Sequence, residues 1–296
     1  MHMASAPRKQ LSMGGLRVLT AMRRRMPWIV WLSLAWLLLV VFLSIFAEFV
    51  APYGFNKQNL LHRLDAPLWL GGKHGYWLGT DHLGRDVLSR LIYGMRTSII
   101  IALVGSWIGA IIGTTLGMMA AHFRGIVDDA IMILVDFQAS MPFLIIALAV
   151  LAFFGNNFVL FVVLVGLNGW EVYARLTRGQ VMSVGARGYA MAVRLLGARP
   201  TRIYLRHILP NIASVLLVQL TLSFPETILL ETSLSFLGLG VQPPNTSLGL
   251  ALGEGRVYLT SAWWIGVSAG TSIFLTTLAM SLLGDWARDY LDPRLY

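Results

Sequence analysis

Long apolar stretches that carry no charge are the feature that most constrains how this chain can fold. Residues 97–121 include no ionisable side chain, and residues 262–284 include none either. A helix of about 20 apolar residues spans the hydrocarbon core of a membrane. A helix that is apolar on all sides is buried in a large core or in lipid. We therefore expect an all-α membrane protein.

The other apolar stretches complete a set of six predicted transmembrane helices. These spans lie at 28–50, 97–121, 130–154, 158–174, 212–236 and 262–284. They enclose a core domain at 97–284 and leave a basic tail at 1–27, a loop at 51–96, a loop at 175–211 and a tail at 285–296. The segment 237–261 is expected to be a loop, because its glycines and prolines disfavour a helix.

Basic residues are concentrated on one side of the predicted spans. Six lie in the N-terminal tail, seven in the 175–211 loop and three at Arg124, Arg288 and Arg294, which together make 16 of the 23 Lys and Arg residues. The other seven lie on the opposite side. Because Lys and Arg in short loops mark the cytoplasmic face, both termini are expected to be cytoplasmic and the 51–96 loop extracytoplasmic.

The sequence lacks the patterns that enzymes commonly use for catalysis. It contains no Cys and no H-E-x-x-H, and none of its six His residues lies in the middle of a predicted span. It also lacks G-x-x-x-x-G-K-[ST], the loop that holds the phosphates of ATP. Only 12% of the residues are charged, which is too few for a typical soluble enzyme. We expect a membrane protein without catalytic residues, metal site or bound cofactor of its own.

A stripe of small residues marks one face of the second predicted span. Its members are spaced four residues apart and are Gly105, Gly109, Gly113 and Gly117. Small residues allow a neighbouring helix to approach closely. We favour packing within the bundle over contact with a second membrane subunit, although the spacing is compatible with both.

Ionisable residues within apolar spans are costly and frequently functional. The candidates are Asp136, Gln138, Glu171, Glu226 and Glu231, with Pro142 and Pro225 as bending points. One interpretation places them along a polar pathway or at a gate. The alternative is that carboxylates such as Asp136 lie near the interface, where water hydrates them.

The basic loop 175–211 has the composition of a short helix–turn–helix. Tyr189–Leu196 favours a helix, Gly197–Pro200 is a turn signal, and Thr201 is a potential N-cap of a second helix that ends at Pro210. Such an element could lie on anionic lipid or dock into a partner protein. The spacing alone leaves both interpretations open.

Four stretches of the sequence resemble the permeases of ATP-binding cassette importers. In the basic loop, Met191-Ala192-Val193, Gly197 and residues 207–211 (HILPN) take the places of the E-A-A, Gly and L-P residues of the family signature. Residues 78–94 (LGTDHLGRDVLSRLIYG), 234–244 (LSFLGLGVQPP) and 283–295 (LGDWARDYLDPRL) are similar to the dipeptide/oligopeptide/nickel permease subfamily. The chain looks like the C-type permease of that subfamily, which implies the six-helix type I importer fold.

The resemblance implies a set of partners. Permeases of the family form heterodimers with a homologous B-type permease in the cytoplasmic membrane of bacteria or archaea. Two cytoplasmic ATPases, which bind ATP and Mg²⁺, dock on the coupling loops. An extracytoplasmic solute-binding protein delivers peptides or related small solutes. Membrane lipid is a further expected partner, and nucleic acid is not.

The resemblance also assigns roles to residues. Those expected to couple to the ATPase are Tyr189, Ala190, Met191, Ala192, Val193, Gly197, Ala198, Arg199, His207, Leu209 and Pro210. Those expected on the outer face, towards the binding protein, are Asp81, Arg85, Asp86, Gln242 and Leu248. For Asp81, Arg85 and Asp86 the alternative is a local salt-bridge network that only fixes the fold of the loop. Two positions depart from the family pattern, since Met191 stands where the family has Glu and Leu248 stands where it usually has Trp.

Two other classes of function remain open on the residues alone. An ATP-independent secondary transporter or channel would use Glu226 and Glu231 as ion-coupling groups. A structural or signalling membrane subunit would carry no solute. The four motif stretches favour the importer permease over both.

Overall fold

The computed structural model describes residues 26–72, 74–185 and 199–291, with side chains up to Tyr290. Over these ranges the chain is helical and contains no β-strand, which confirms the predicted all-α class. The α-helices are α1 (Trp28–Ile45), α2 (Ala47–Val50), α3 (Val87–Phe123), α4 (Gly125–Ser140), α5 (Phe143–Phe154), α6 (Phe158–Gly166), α7 (Trp170–Gly185), α8 (Pro200–Ile203), α9 (Leu209–Phe236), α10 (Leu248–Arg256) and α11 (Trp264–Leu291).

Five helical segments of the described chain are long and apolar enough to cross a membrane. They are Trp28–Ile45, Val87–Phe123, Phe158–Gly185, Pro200–Phe236 and Trp264–Tyr290. A sixth candidate is the pair α4 and α5, which are bent by 88° relative to each other. The span predicted at 130–154 is therefore divided into two helices, and the break falls at Pro142, which was expected to be a bending point. Because a residue before proline is pushed out of the helical region, Met141 is extended and Pro142 caps the start of α5.

The second predicted span begins earlier than its apolar stretch. Helix α3 starts at Val87 instead of at residue 97, because Asp86 caps it by accepting hydrogen bonds from the backbone N–H and the hydroxyl of Ser89 at 2.8 and 2.6 Å. At 1.5 Å per residue the helix is about 55 Å long, which exceeds the roughly 30 Å membrane core. Its N-terminal turns therefore project beyond the apolar layer.

The fourth predicted span also continues further than its apolar residues. Helix α6 and helix α7 are joined by a short turn at Leu167–Gly169, and α7 runs to Gly185 instead of ending at residue 174. Arg178 on the extension donates two 2.6 Å hydrogen bonds to Asp128 of α4. The charged residues that suggested a loop are thus paired along the side of a helix.

The predicted second helix of the basic loop differs from the one observed. Arg199 is its N-cap instead of Thr201, and Pro200 is its first residue. Pro210 does not end it, because a π-helical turn at Tyr204–Ile208 precedes α9 and Pro210 falls in the first turn of α9. The helical path is therefore continuous over Pro200–Phe236.

The segment 237–261, expected to be a loop, contains helix α10. Ser247 caps this helix by accepting a 3.1 Å hydrogen bond from the N–H of Leu250. A Cβ on Gly249 would lie only 2.7 Å from Cα of Thr232, so this glycine lets α10 pack directly against α9. Glycine disfavours an isolated helix, but at this position it allows α10 to pack closely enough against α9 to be buried.

Helix α3 lies at the centre of the bundle. It packs most extensively against α7 and α9, whereas α11 packs against α9, α10 and α1. One buried apolar cluster, which includes Leu91 and Ile265, joins α1, α3, α10 and α11. A second, which includes Ile101 and Phe161, joins α3 to α5, α6 and α9. These two clusters hold the polar groups described next in fixed positions.

Candidate functional site

Four charged residues, of which Asp81, Arg85 and Arg90 are buried and Glu254 is half-buried, join the loop before α3 and the first turn of α3 to helix α10. Asp81 accepts hydrogen bonds from Nε of Arg85 at 2.6 Å and from Nη1 of Arg90 at 2.8 Å. Glu254 of α10 pairs with Nη1 of Arg90 and lies 3.2 Å from Nη2 of Arg85. We call these four residues the loop charge cluster. It fixes the first loop, residues 51–86, onto a helix that lies far away in sequence.

The electrostatics of this cluster keep Asp81 ionised. Burial opposes ionisation, but the positive charge of Arg90, the backbone N–H of Arg85 and the guanidinium of Arg85 together hold the pKa of Asp81 below its ordinary value. Both Asp81 and Arg90 are almost completely buried. A buried charge that is paired in this way is costly to leave unpaired.

The sequence analysis selected only part of this cluster. Asp81 and Arg85 were expected to be on the outer face, and the structure brings them together with Arg90 and Glu254, which were not selected. Asp86 is not in the cluster and instead caps α3. The only signal for Arg90 was its place in the 78–94 motif stretch, and nothing local marked Glu254.

The two remaining residues expected on the outer face lie in different surroundings. Gln242 is exposed and its side-chain amide donates a 2.9 Å hydrogen bond to the carbonyl of Gly238. Leu248 is only 2% exposed and belongs to the apolar cluster around α3. The side chain of Leu248 is therefore not available to a partner protein in this structure.

Glu231 of α9 is completely buried at the junction of three segments. It accepts hydrogen bonds from the hydroxyls of Ser98 at 3.0 Å and Ser235 at 2.8 Å. Those hydroxyls in turn accept from the N–H groups of Leu248 and Val241 at 3.1 and 3.2 Å. Glu231 thus links α3, α9 and the segment before α10, and it is enclosed by protein instead of lining an open path.

Glu226 has the opposite environment. It lies on α9 directly after the buried Pro225, yet its side chain is exposed. Glu171 of α7 is close enough to act on it electrostatically. Helix α9 continues through Pro225, so this proline does not break the span.

Polar contacts near Glu171 connect α4 to α7. The side-chain amide of Gln138 donates to Glu171 at 3.1 Å, and its oxygen accepts from Nε1 of Trp170 at 2.8 Å. Asp136 pairs with Arg175 at 2.9 Å on an exposed surface. Sequence reasoning selected Asp136 but not its partner, nor the pair of Asp128 and Arg178.

The glycine stripe on α3 faces helices of the same chain. A Cβ on Gly105 would lie 3.1 Å from the side chain of Thr227. A Cβ on Gly109 would lie 3.1 Å from the carbonyl oxygen of Gly166. A Cβ on Gly113 would collide with the carbonyl oxygen of Trp170, and one on Gly117 would collide with that of Ala174. Gly113 and Gly117 therefore set how closely α3 and α7 pack, whereas Gly105 and Gly109 lie against α9 and the end of α6.

The end of the bundle that receives the basic loop is anchored by apolar contacts. Tyr189 to Ala198 lie outside the described residues, so the expected coupling residues in that range have no described positions. Past them, Ile203, Ile208 and Ile212 pack with Ala121 of α3 and Val181 and Val184 of α7. The side chain of Tyr204 adds a 3.2 Å hydrogen bond to His122.

The other expected coupling residues can be located. Arg199 and Pro210 are exposed, whereas His207 and Leu209 are half-buried. The carbonyl of His207 accepts a 2.5 Å hydrogen bond from the side-chain amide of Asn211. All four lie at this same end of the bundle, next to residues 186–198 in the sequence.

Comparisons with known proteins agree with this architecture. Residues 113–296 match the family "binding-protein-dependent transport system inner membrane component", and residues 28–67 match the "N-terminal TM domain of oligopeptide transport permease C". A chain from the methionine ABC transporter MetNI, solved in inward-facing conformations, superimposes with a TM-score of 0.56 at 18% identity. That alignment covers 69% of this chain and 97% of the other, and it confirms the importer permease fold.

Curated relatives extend the similarity over most of the sequence. The di/tripeptide transport system permease protein DppC of Pseudomonas aeruginosa is 42% identical over 89% of this chain and 87% of its own length. The glutathione transport system permease protein GsiD of Pectobacterium atrosepticum is 36% identical over 87% of this chain and 84% of its own. This chain belongs to the family of binding-protein-dependent transport system inner membrane components, the membrane-spanning permease subunits of ATP-binding cassette importers.

Proposed function

We propose that this permease moves peptides or related small solutes across the cytoplasmic membrane, with ATP hydrolysed by separate ATPase subunits. The observation that carries this proposal is the 42% identity to a di/tripeptide permease over 89% of the chain. Glutathione, named in another relative, is itself a small peptide-like solute. The solutes named in these two relatives are therefore both peptide-like.

The continuous helix Pro200–Phe236 supports a mechanism for coupling to the ATPases. Its first residues follow the basic loop and are anchored to α3 and α7 through Ile203 and Ile208. Its far end contains Glu231, which links it to α3 and to the segment before α10. A displacement of the docked loop would be transmitted along this helix as a rigid-body motion, so access could alternate between the two faces.

The exposed side chain of Glu226 supports pairing with a second permease. A charged residue near the middle of a span costs about 2.5–3.5 kcal/mol if it faces lipid. Glu226 is therefore expected to face a water-filled path or a homologous B-type subunit. In the proposed orientation the first loop faces an extracytoplasmic solute-binding protein, and the anchored end of Pro200–Phe236 faces the cytoplasm.

Substitution in the basic loop tests the proposal. We expect Gly197→Arg to abolish ATP-dependent uptake of a labelled dipeptide while leaving the amount of protein in the membrane unchanged. The matched control is Gly179→Arg, because Gly179 is exposed on α7 near the same end of the bundle and a side chain there would meet nothing within 4 Å. The control should transport normally.

Two results would contradict the proposal. Normal uptake by the Gly197→Arg protein would show that the loop does not couple to an ATPase. Uptake that survives ATP depletion but is abolished by a protonophore would indicate an ATP-independent secondary transporter instead.

A further inference from the structure

Two imidazoles in the first loop point at the same carboxylate oxygen. Nδ1 of His62 lies 3.0 Å and Nδ1 of His74 lies 2.8 Å from Oδ2 of Asp65. The two rings are 4.0 Å apart between centroids, and the three ligand atoms all lie within 4.8 Å of one another. We call these three residues the loop triad. From this arrangement we propose that the loop triad binds a divalent transition-metal ion such as Zn²⁺.

The distances in the triad are close to those that a bound ion requires. Bonds of 2.0–2.2 Å in tetrahedral geometry place neighbouring ligand atoms about 3.3–3.5 Å apart. The separations of 3.0 and 2.8 Å between the two imidazole nitrogens and Oδ2 of Asp65 would therefore need to widen by about half an ångström to admit an ion. Gly71 and Gly75, which both have positive φ, flank the turn that carries His74, and glycine adopts this conformation without strain.

The backbone beneath the triad is held in place by a buried threonine. The hydroxyl of Thr80 donates to the carbonyl of His62 at 2.5 Å and accepts from the N–H of Asp65 at 2.9 Å. The N–H of Thr80 also donates to the carbonyl of Asp65 at 3.0 Å. Two of the three ligands are thus fixed before an ion arrives, and preorganisation of this kind raises affinity.

The chemistry of the donors selects the class of ion. Two imidazoles and one carboxylate suit Zn²⁺ and its neighbours among the transition metals, whereas Ca²⁺ and Mg²⁺ require mostly oxygen ligands. His62 and Asp65 are about a quarter exposed and His74 about half exposed. Water can therefore reach the site and supply the remaining coordination position.

A second group with similar composition does not qualify. Asp81, His82 and Glu254 also bring three ligand atoms within 4.8 Å. However, Asp81 and Glu254 are both paired with Arg85 and Arg90, whose positive charges would repel a cation. Among the described residues, the loop triad is the group whose carboxylate is free of such pairing, and His82 offers a control.

A bound ion would have a structural consequence for the loop. It would tie the turn around His74 to the short 3₁₀ helix Leu60–His62, and Thr80 beneath it is connected to α11 through a 3.3 Å hydrogen bond from Trp264. The ion would thus order the part of the first loop that covers the start of α11. This inference is independent of the transported solute.

Metal titration tests the proposal directly. The chain, co-purified with its partner subunits through a tag without histidine and stripped of metal, is titrated with Zn²⁺ at pH 7.5 against a chromophoric chelator. We expect one ion per chain, and at least tenfold weaker binding in His74→Ala and in Asp65→Asn, since even outer-shell changes cost 10–100-fold. His82→Ala should bind as the parent does.

Two results would overturn the proposed metal site. Parent protein that binds no Zn²⁺, or a His74→Ala protein that binds it as tightly as the parent, would refute the site. His74 is half exposed, so its replacement is compatible with folding. X-ray absorption on the Zn²⁺-loaded parent gives a second measurement, in which two imidazole ligands support the site and fewer than two contradict it.

Discussion

Asp81 is the residue on which the attachment of the first loop most depends. Its carboxylate is completely buried and accepts from Arg85 and Arg90. We expect Asp81→Asn to destabilise the protein by about 3–5 kcal/mol, because removal of one partner leaves buried charges uncompensated. Thermal unfolding in detergent measures this. The control Glu48→Gln removes an exposed pair with Arg96 and should change the free energy of unfolding by about 1 kcal/mol or less.

The pH dependence of the same stability has a definite sign. The pKa of Asp81 is lowered in the folded protein, so its ionised form stabilises the fold at all pH values above about 4, the ordinary pKa of Asp. This contribution is lost as the pH falls from there through the lowered pKa. A difference between parent and Asp81→Asn that is as large below the folded pKa as at pH 7 would contradict this assignment.

Contacts between residues that are close in sequence were easier to predict than contacts between distant ones. His62 and Asp65 are three residues apart and could have been noticed together, but His74 joins them only through the turn between Gly71 and Gly75. Glu254 lies 164 residues from Arg90. Contacts over such separations follow from the packing of α10 against the bundle, which local spacing does not reveal.

The contact between α3 and α7 depends on glycine. We expect Gly113→Ala to destabilise the protein by about 1–3 kcal/mol, because the added methyl group would collide with the carbonyl of Trp170 and force the helices apart. The control Gly179→Ala lies on α7, where a Cβ meets nothing within 4 Å. Helix propensity alone predicts that the control is neutral or slightly stabilised.

Thermal unfolding of both variants in the same detergent separates these effects. An equal change in the two proteins would show that the stripe does not set the helix spacing. The stripe itself was visible in the sequence, because helical geometry places residues four apart on one face. Its partner helix was not, because the spacing of the glycines does not show which other helix packs against them.

Helix boundaries were predicted less well than helix identity, for reasons that differ among elements. Apolar stretches located the spans, but α3 begins where Asp86 caps it, and α7 ends only after its basic residues have paired with α4. Whether a proline interrupted a helix depended on its position. Pro142 separates two helices, whereas Pro210 and Pro225 lie within a continuous one. The sequence alone does not reveal the π-helical turn that precedes Pro210.

The charge distribution predicts the orientation of the whole molecule in the membrane, and this prediction can be tested. The chain contains no Cys, so a single introduced thiol reports on one site. With 16 of 23 basic residues on the predicted cytoplasmic side, Gln58→Cys in the first loop should face outward and Thr201→Cys should face the cytoplasm. Both positions are exposed.

A membrane-impermeant maleimide distinguishes the two sides in cells whose inner membrane is intact. We expect it to label Gln58→Cys at once and to label Thr201→Cys only after the inner membrane is permeabilised. The parent chain, which has no thiol, should remain unlabelled in both conditions. The reverse pattern would place the first loop in the cytoplasm, away from any binding protein. It would also place the other end of the bundle, next to residues 186–198, out of reach of a cytoplasmic ATPase. Labelling therefore tests the orientation on which the proposed direction of transport depends.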